Sequence, residues 1–119
     1  MDATTVLLVD DEKEFVDTLA ERISIRSLSP QVAYSGEQAL EMIDDTVPDV
    51  MVLDLKMPGM GGTDVLARVK AAYPDVGVII LTGHGDSKDQ VLVEGLGASG
   101  YFQKPVDINQ LVDKIRVLA

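Results

Sequence analysis

The chain has 119 residues, a formal charge of −10, a hydrophobic fraction of 46%, no Trp and no Cys. That length suits one domain with a sizeable, mainly aliphatic core, and the lack of cysteine excludes disulfides, thiolate zinc sites and a cysteine nucleophile. The acidic balance disfavours direct nucleic-acid binding, and no apolar run approaches the roughly 20 residues that a transmembrane helix needs. The opening Met1-Asp2-Ala3-Thr4-Thr5 has no basic segment of the kind that starts a signal peptide, so a cytoplasmic location away from membranes is expected.

Short β-rich runs alternate with helix-like segments. Thr5 to Val9 reads as an apolar strand, and Lys13 to Ile25 carries Phe15, Val16, Leu19, Ala20 and Ile23 at helical spacing. A second, shorter strand is expected from Gln31 to Tyr34, after Pro30. Ser35 then caps a helix, with Gln38 three residues on as in a capping box and Ala39, Leu40 and Ile43 facing inward. Asp49 to Leu53 is the third strand. Gly62 to Tyr73 is a helix with Val65, Leu66 and Val69 inward, stopped by Pro74.

Gly77 to Leu81 is a fourth strand rich in Val and Ile, and Ser87 to Leu96 a weaker helix loosened by Gly95 and Gly97. Gly100 to Gln103 is a short fifth strand, and Asp107 caps a final helix whose inward stripe is Ile108, Leu111, Val112 and Ile115. This βα alternation predicts an α/β protein, one open parallel sheet with helices on both faces. The first, third and fourth strands are near-continuous apolar runs, as central strands are. The polar second strand suits an edge.

In such sheets ligands bind beyond the carboxyl ends of the strands, where the strand order reverses. The polar residues fall there. The first strand runs into Asp10-Asp11, the third into Asp54, the fourth into Thr82 and the fifth into Lys104-Pro105. Each residue has an ordinary explanation alone: Asp10-Asp11 could cap a helix, Thr82-Gly83 could turn, Lys104 could be solvated, and His84 could be a plain loop residue. Together they place three carboxylates in one crevice. Two carboxylates about 4 Å apart repel by roughly 4 kcal/mol at an effective dielectric near 20. A divalent cation relieves that repulsion, and oxygen ligands without His or Cys favour Mg²⁺.

With "VLLVDDE", "DVMVLDLKMPGMGG", "VIILTGHGD" and "GYFQKPVD" in this order, the whole chain, residues 1–119, resembles the receiver domain of bacterial two-component response regulators. The resemblance implies a flavodoxin-like, doubly wound sheet of strand order 2-1-3-4-5. It implies Asp54 as phosphoacceptor, attacking the phosphohistidine of a sensor histidine kinase or phosphotransfer protein. Asp11 and Asp54 would bind Mg²⁺ directly, with the Lys56 backbone carbonyl as a further ligand and Asp10 acting mainly through water. Lys104 would contact a phosphoryl oxygen, and Thr82 would do so after phosphorylation. Tyr101 would be an aromatic switch that swings from solvent to interior, and the Lys104-Pro105 peptide would be cis. Lys56 and His84, two residues past Asp54 and Thr82, would set the lifetime of the phosphate.

The wording "LTGHGD" and "MPGMGG" is most similar to receivers of the nitrogen-regulation and nitrogen-fixation types. The resemblance implies a phosphorylation-activated switch rather than a turnover enzyme, with only self-phosphorylation and self-dephosphorylation chemistry. Its output face would be the fourth helix, fifth strand and fifth helix, controlling a partner, a homodimer or a transcriptional output domain beyond Ala119. Two rivals have different chemistry. A haloacid-dehalogenase-type phosphatase would place an acid two residues after the nucleophile, where this chain has Lys56. A phosphorylation-independent interaction module would not need the set Asp10, Asp11, Asp54, Thr82 and Lys104.

Overall fold

The computed structural model describes residues 3–83 and 86–119. Five strands and five helices alternate: β1 (Thr4–Val9), α1 (Lys13–Ser24), β2 (Leu28–Ala33), α2 (Gly36–Asp45), β3 (Val50–Leu53), α3 (Gly62–Ala72), β4 (Gly77–Thr82), α4 (Ser87–Gly95), β5 (Gly100–Gln103) and α5 (Ile108–Leu118). All pairings are parallel, and the strand order is β2-β1-β3-β4-β5. The chain therefore reverses direction across the sheet between β1 and β3, which opens a crevice at their carboxyl ends.

The two faces are filled by alternate residues of the central strands. Val6, Leu8, Val50, Val52, Ile79 and Leu81 pack against Val16, Leu19 and Ile23 of α1 and Leu111, Val112 and Ile115 of α5. Leu7, Val9, Met51, Leu53, Val78 and Ile80 face Ala39 and Ile43 of α2, Val65, Leu66 and Val69 of α3, and Val93 of α4. Every residue of β3 and β4 is buried, which is why those segments read as unbroken apolar runs.

Two local expectations change. The second strand starts at Leu28 rather than after Pro30, and Pro30 lies within it, level with Val6. Proline lacks a donor, but β2 pairs on one side only, and an edge strand tolerates that loss. At α2, the Ser35 hydroxyl accepts the Gln38 N–H at 3.0 Å, as expected. The Gln38 carboxamide, however, accepts from Tyr34 N–H at 2.8 Å rather than from Ser35 itself.

The capping box appears instead at α4, where the Asp86 and Asp89 carboxylates each accept the other's backbone N–H. Gly97, at φ +105°, turns the chain out of that helix. Gly95 has no such duty: it is exposed, its φ is not positive, and a methyl group there would meet nothing within 4 Å. Gly95→Ala is therefore expected to stabilise the domain by about 0.5–1 kcal/mol through lost unfolded-state entropy. Urea denaturation would show a higher midpoint at unchanged slope. Among the described residues, no helix is long and apolar enough to cross a membrane.

Candidate functional site

The ladder delivers its polar ends to one place. Asp10 follows β1 with its N–H donated to Ala33 O at 3.1 Å, and Asp54 follows β3 with its N–H donated to Val9 O at 3.0 Å. Lys104 follows β5 with its N–H on Thr82 O at 3.0 Å. Asp10, Asp54 and Thr82 are the polar residues buried in the described structure, at 4%, 2% and 0% exposure. They are buried because a fully covered sheet must end somewhere, and here its rim carries functional groups.

The Lys104 ammonium sits in the middle of the carboxylates. Its Nζ donates to Asp10 Oδ2 at 2.7 Å and to Glu12 Oε1 at 2.8 Å, and lies 3.9 Å from Asp54 Oδ2. It also sits over the Phe15 ring, 4.3 Å from the centroid. Asp10 Oδ1 accepts the Glu12 N–H at 2.9 Å, so Asp10 holds the start of α1, whose first residue beyond the cap is Lys13. Asp54 Oδ1, in contrast, is buried and has no hydrogen bond.

Charge and burial oppose one another here. Burial pushes the Asp10 carboxyl upward; the bonds from Lys104 and Glu12 N–H act against this without reversing it, and the Asp54 charge adds to the rise. For Lys104, burial pulls downward, but the hydrogen bonds to Asp10 and Glu12 outweigh it and the ammonium is held above its ordinary value. Carboxylate oxygens of Asp10, Glu12 and Asp54 lie within 4.8 Å of one another. That oxygen-only set, with one buried oxygen still unpartnered, fits a hard divalent cation.

The structure brings Asp10, Asp54 and Lys104 together and puts Thr82 on the same rim. Asp11 and Lys56 are exposed, and Asp11 lies outside the grouped oxygens. His84 falls outside the described residues. The Lys104-Pro105 peptide is cis. Tyr101 lies inward rather than toward solvent: it packs on the core facing α2, α3 and α4, and its hydroxyl is buried. Two neighbours were not anticipated. Glu12 closes the "VDDE" run, but an acid at a helix start is commonplace. Phe15 reads from its spacing only as core.

The three tyrosines, which are all the chain has, titrate high. The Tyr34 hydroxyl donates to Asp17 and the Tyr73 hydroxyl to Asp44, and each bond favours the neutral phenol. Tyr101 is raised first by burial and then by Asp89 and Asp86; Gln103 opposes, although its side chain does not reach the hydroxyl in hydrogen-bonding geometry. A phenol raised in the fold stabilises the folded state fully below its ordinary value of 10.0, and that contribution is lost as pH rises through the folded value. At pH 10 the folded protein should show less of its tyrosinate absorbance than the urea-unfolded chain, which shows about half. Equal absorbance in both states would contradict these three environments.

The response regulator receiver domain model matches residues 6–116. The chain belongs to that family. The receiver is 38% identical over 113 residues to the transcriptional regulatory protein CpxR of Escherichia coli K12, covering 95% of this chain and 48% of CpxR. It thus spans about half the length of the curated relatives it matches. A CheY-like receiver domain from Methanospirillum hungatei superposes with a TM-score of 0.93 at 25% identity, covering 98% of this chain and 93% of that one. The NtrX receiver of Brucella abortus does so at 0.89 and 27%, covering 95% and 96%. The fold is the CheY-like, flavodoxin-type sheet expected from the sequence, and the receiver is a phosphorylation-activated signalling switch of a two-component system. Nothing in these likenesses favours a haloacid-dehalogenase-type phosphatase or a phosphorylation-independent module.

Proposed function

We propose that this receiver accepts a phosphoryl group on Asp54 from the phosphohistidine of a sensor kinase or phosphotransfer protein. The observation that carries this is the Asp54 carboxylate: buried at the end of β3, one oxygen without a hydrogen bond, the other facing the Lys104 ammonium. An Asp54 oxygen forms the new bond to phosphorus while the bond from phosphorus to the donor imidazole breaks, and the electron pair returns to the imidazole nitrogen. Lys104 and Thr82 stabilise the charge on the transferred oxygens. Asp11, Asp54 and the Lys56 carbonyl are the proposed ligands of Mg²⁺, with Asp10 acting through water; when bound, the ion neutralises charge on the phosphoryl oxygens. Hydrolysis by water returns Asp54 to its free form, at a rate we assign to Lys56 and His84.

A mainly apolar groove of about 370 Å³ lies beside the site, lined by Phe15, Thr18 and Leu19 of α1 and by Pro105, Val106 and Ile108, with the charged Glu14 and Arg22 also in its wall. Its continuity with Lys104 through Pro105 supports it as the seat of the phosphodonor protein. On the other side, Thr82 and Tyr101 couple the phosphoryl group to the α4-β5-α5 face. Exposed Val91 and Leu92 on α4 and Val117 on α5 supply apolar surface for a second copy or an output domain. Likeness to CpxR supports transcriptional control in the cytoplasm, exerted through such a partner and not by direct nucleic-acid contact. The finer grouping with nitrogen-type receivers rests on "LTGHGD" and "MPGMGG" and on the likeness to NtrX.

Acetyl phosphate with Mg²⁺ should add one phosphoryl group to the protein, seen by intact mass, and chelation should prevent it. No mass gain would overturn the reading; continuous turnover of the donor at the pace of a hydrolase would make the chain an enzyme instead. Thr18→Arg should keep acetyl phosphate labelling and slow transfer from a phosphohistidine protein by about tenfold or more, the loss expected for a blocked contact centre.

A further inference from the structure

Outward from Asp54 the side chains become steadily more exposed: Asp54 at 1%, Lys104 at 12% and Glu12 at 55%. The ammonium bonds to the two carboxylates that are not the phosphoacceptor, and it stands 3.9 Å from the one that is, too far for a hydrogen bond. We propose that Glu12 is a positioning residue for phosphoryl transfer: it holds Lys104 on the Asp10 side of the site and must release it before the ammonium can bind a phosphoryl group on Asp54. This rests on the assignment of Asp54 as phosphoacceptor.

The geometry makes the restraint one-sided. Asp10 is buried and fixed by the Glu12 N–H, so its bond to Lys104 stays available when the lysine leans toward Asp54. Glu12 reaches in from solvent, and its bond has to break. A half-exposed ion pair is weak, so the restraint is a bias and not a block. Glu12 therefore sets how much of the binding energy of the phosphoryl group goes into freeing Lys104. Its own carboxylate, within 4.8 Å of the Asp10 and Asp54 oxygens, then turns back toward solvent.

Beryllofluoride, a non-covalent phosphoryl mimic, tests this at saturating Mg²⁺ by titration calorimetry. Glu12→Ala should tighten its binding by about two- to fivefold, the range an exposed ion pair can supply. In a Lys104→Gln background the same substitution should change nothing. Loss of a distant negative charge would tighten binding equally in both backgrounds, so equal effects overturn the proposal, as does an unchanged affinity in Glu12→Ala. A second readout is the Lys104 ammonium resonance followed by ¹⁵N NMR. In unliganded Glu12→Ala it should already be displaced toward its position in the beryllofluoride complex, and a resonance identical to wild type would count against the latch. Failure of the wild-type protein to take up acetyl phosphate or beryllofluoride at all would instead remove Asp54 as acceptor, and this inference with it.

Discussion

Asp54→Asn is expected to take up no phosphoryl group from acetyl phosphate and, in cation-free buffer, to be more stable than the wild type by about 1 kcal/mol. The first effect would be loss of the proposed nucleophile. The second follows from the surplus of charge: the carboxylates of Asp10, Glu12 and Asp54 gather around one ammonium, and that ammonium bonds to the first two. Asp54 contributes a buried charge with an unpartnered oxygen, which costs folding free energy. The amide keeps a polar group there but removes the charge, which lowers that cost and relieves Asp10 of a repelling neighbour. Mg²⁺ should reverse the ranking, because a ligand at 100 times its dissociation constant stabilises the form that binds it by about 2.7 kcal/mol. Thermal unfolding with and without Mg²⁺ reads both states. A less stable Asp54→Asn in chelator would show that Asp54 is satisfied in the fold, contrary to the geometry.

Gly62→Ala should be the most damaging glycine-to-alanine substitution among the described residues. A β-carbon on Gly62 would collide with the Asp54 carbonyl oxygen and lie 2.7 Å from Leu55 Cα, and both obstacles are backbone. The Gly62 N–H also donates to Leu55 O at 2.9 Å, which ties the first residue of α3 to the residue after Asp54. Relief requires moving one or the other, so a loss of about 3 kcal/mol or more is expected. A fall in melting temperature of roughly 10 °C or more should follow for a domain of this size. Gly61→Ala is the control: its β-carbon would meet Leu55 O at an ordinary 3.6 Å, and the change should cost under about 1 kcal/mol. Similar losses at both positions would point to loop flexibility, not close approach, as the reason for the glycines.

These two residues show where sequence reading succeeds and where it stops. Asp54 is legible because an acid ending a wholly apolar run has few structural uses. Gly62 is not: which glycine of "MPGMGG" must stay bare depends on how α3 meets β3. The central strands were readable because both of their faces are covered. The edge strand β2 was not: Pro30 suggests a boundary by local rules, and only the sheet order shows that it can lie inside the strand. Glu12 was hidden for a similar reason, because its partner Lys104 is 92 residues away in sequence. The inward placement of Tyr101 depends on packing against the core cluster on its face of the sheet, which no local pattern encodes.

Pro30 has a further consequence. An open sheet exposes two rows of backbone groups that could recruit a strand from a neighbouring molecule. Here one border, β2, carries a proline between the exposed Ser29 and Gln31, and the other, β5, is only four residues long and runs straight into Lys104. Both borders are poor templates for strand addition, which guards an acidic signalling protein against fibrillar aggregation. The helical flanks offer no such open row, because their backbone groups are bonded within each helix, so any contact made there is a contact of side chains.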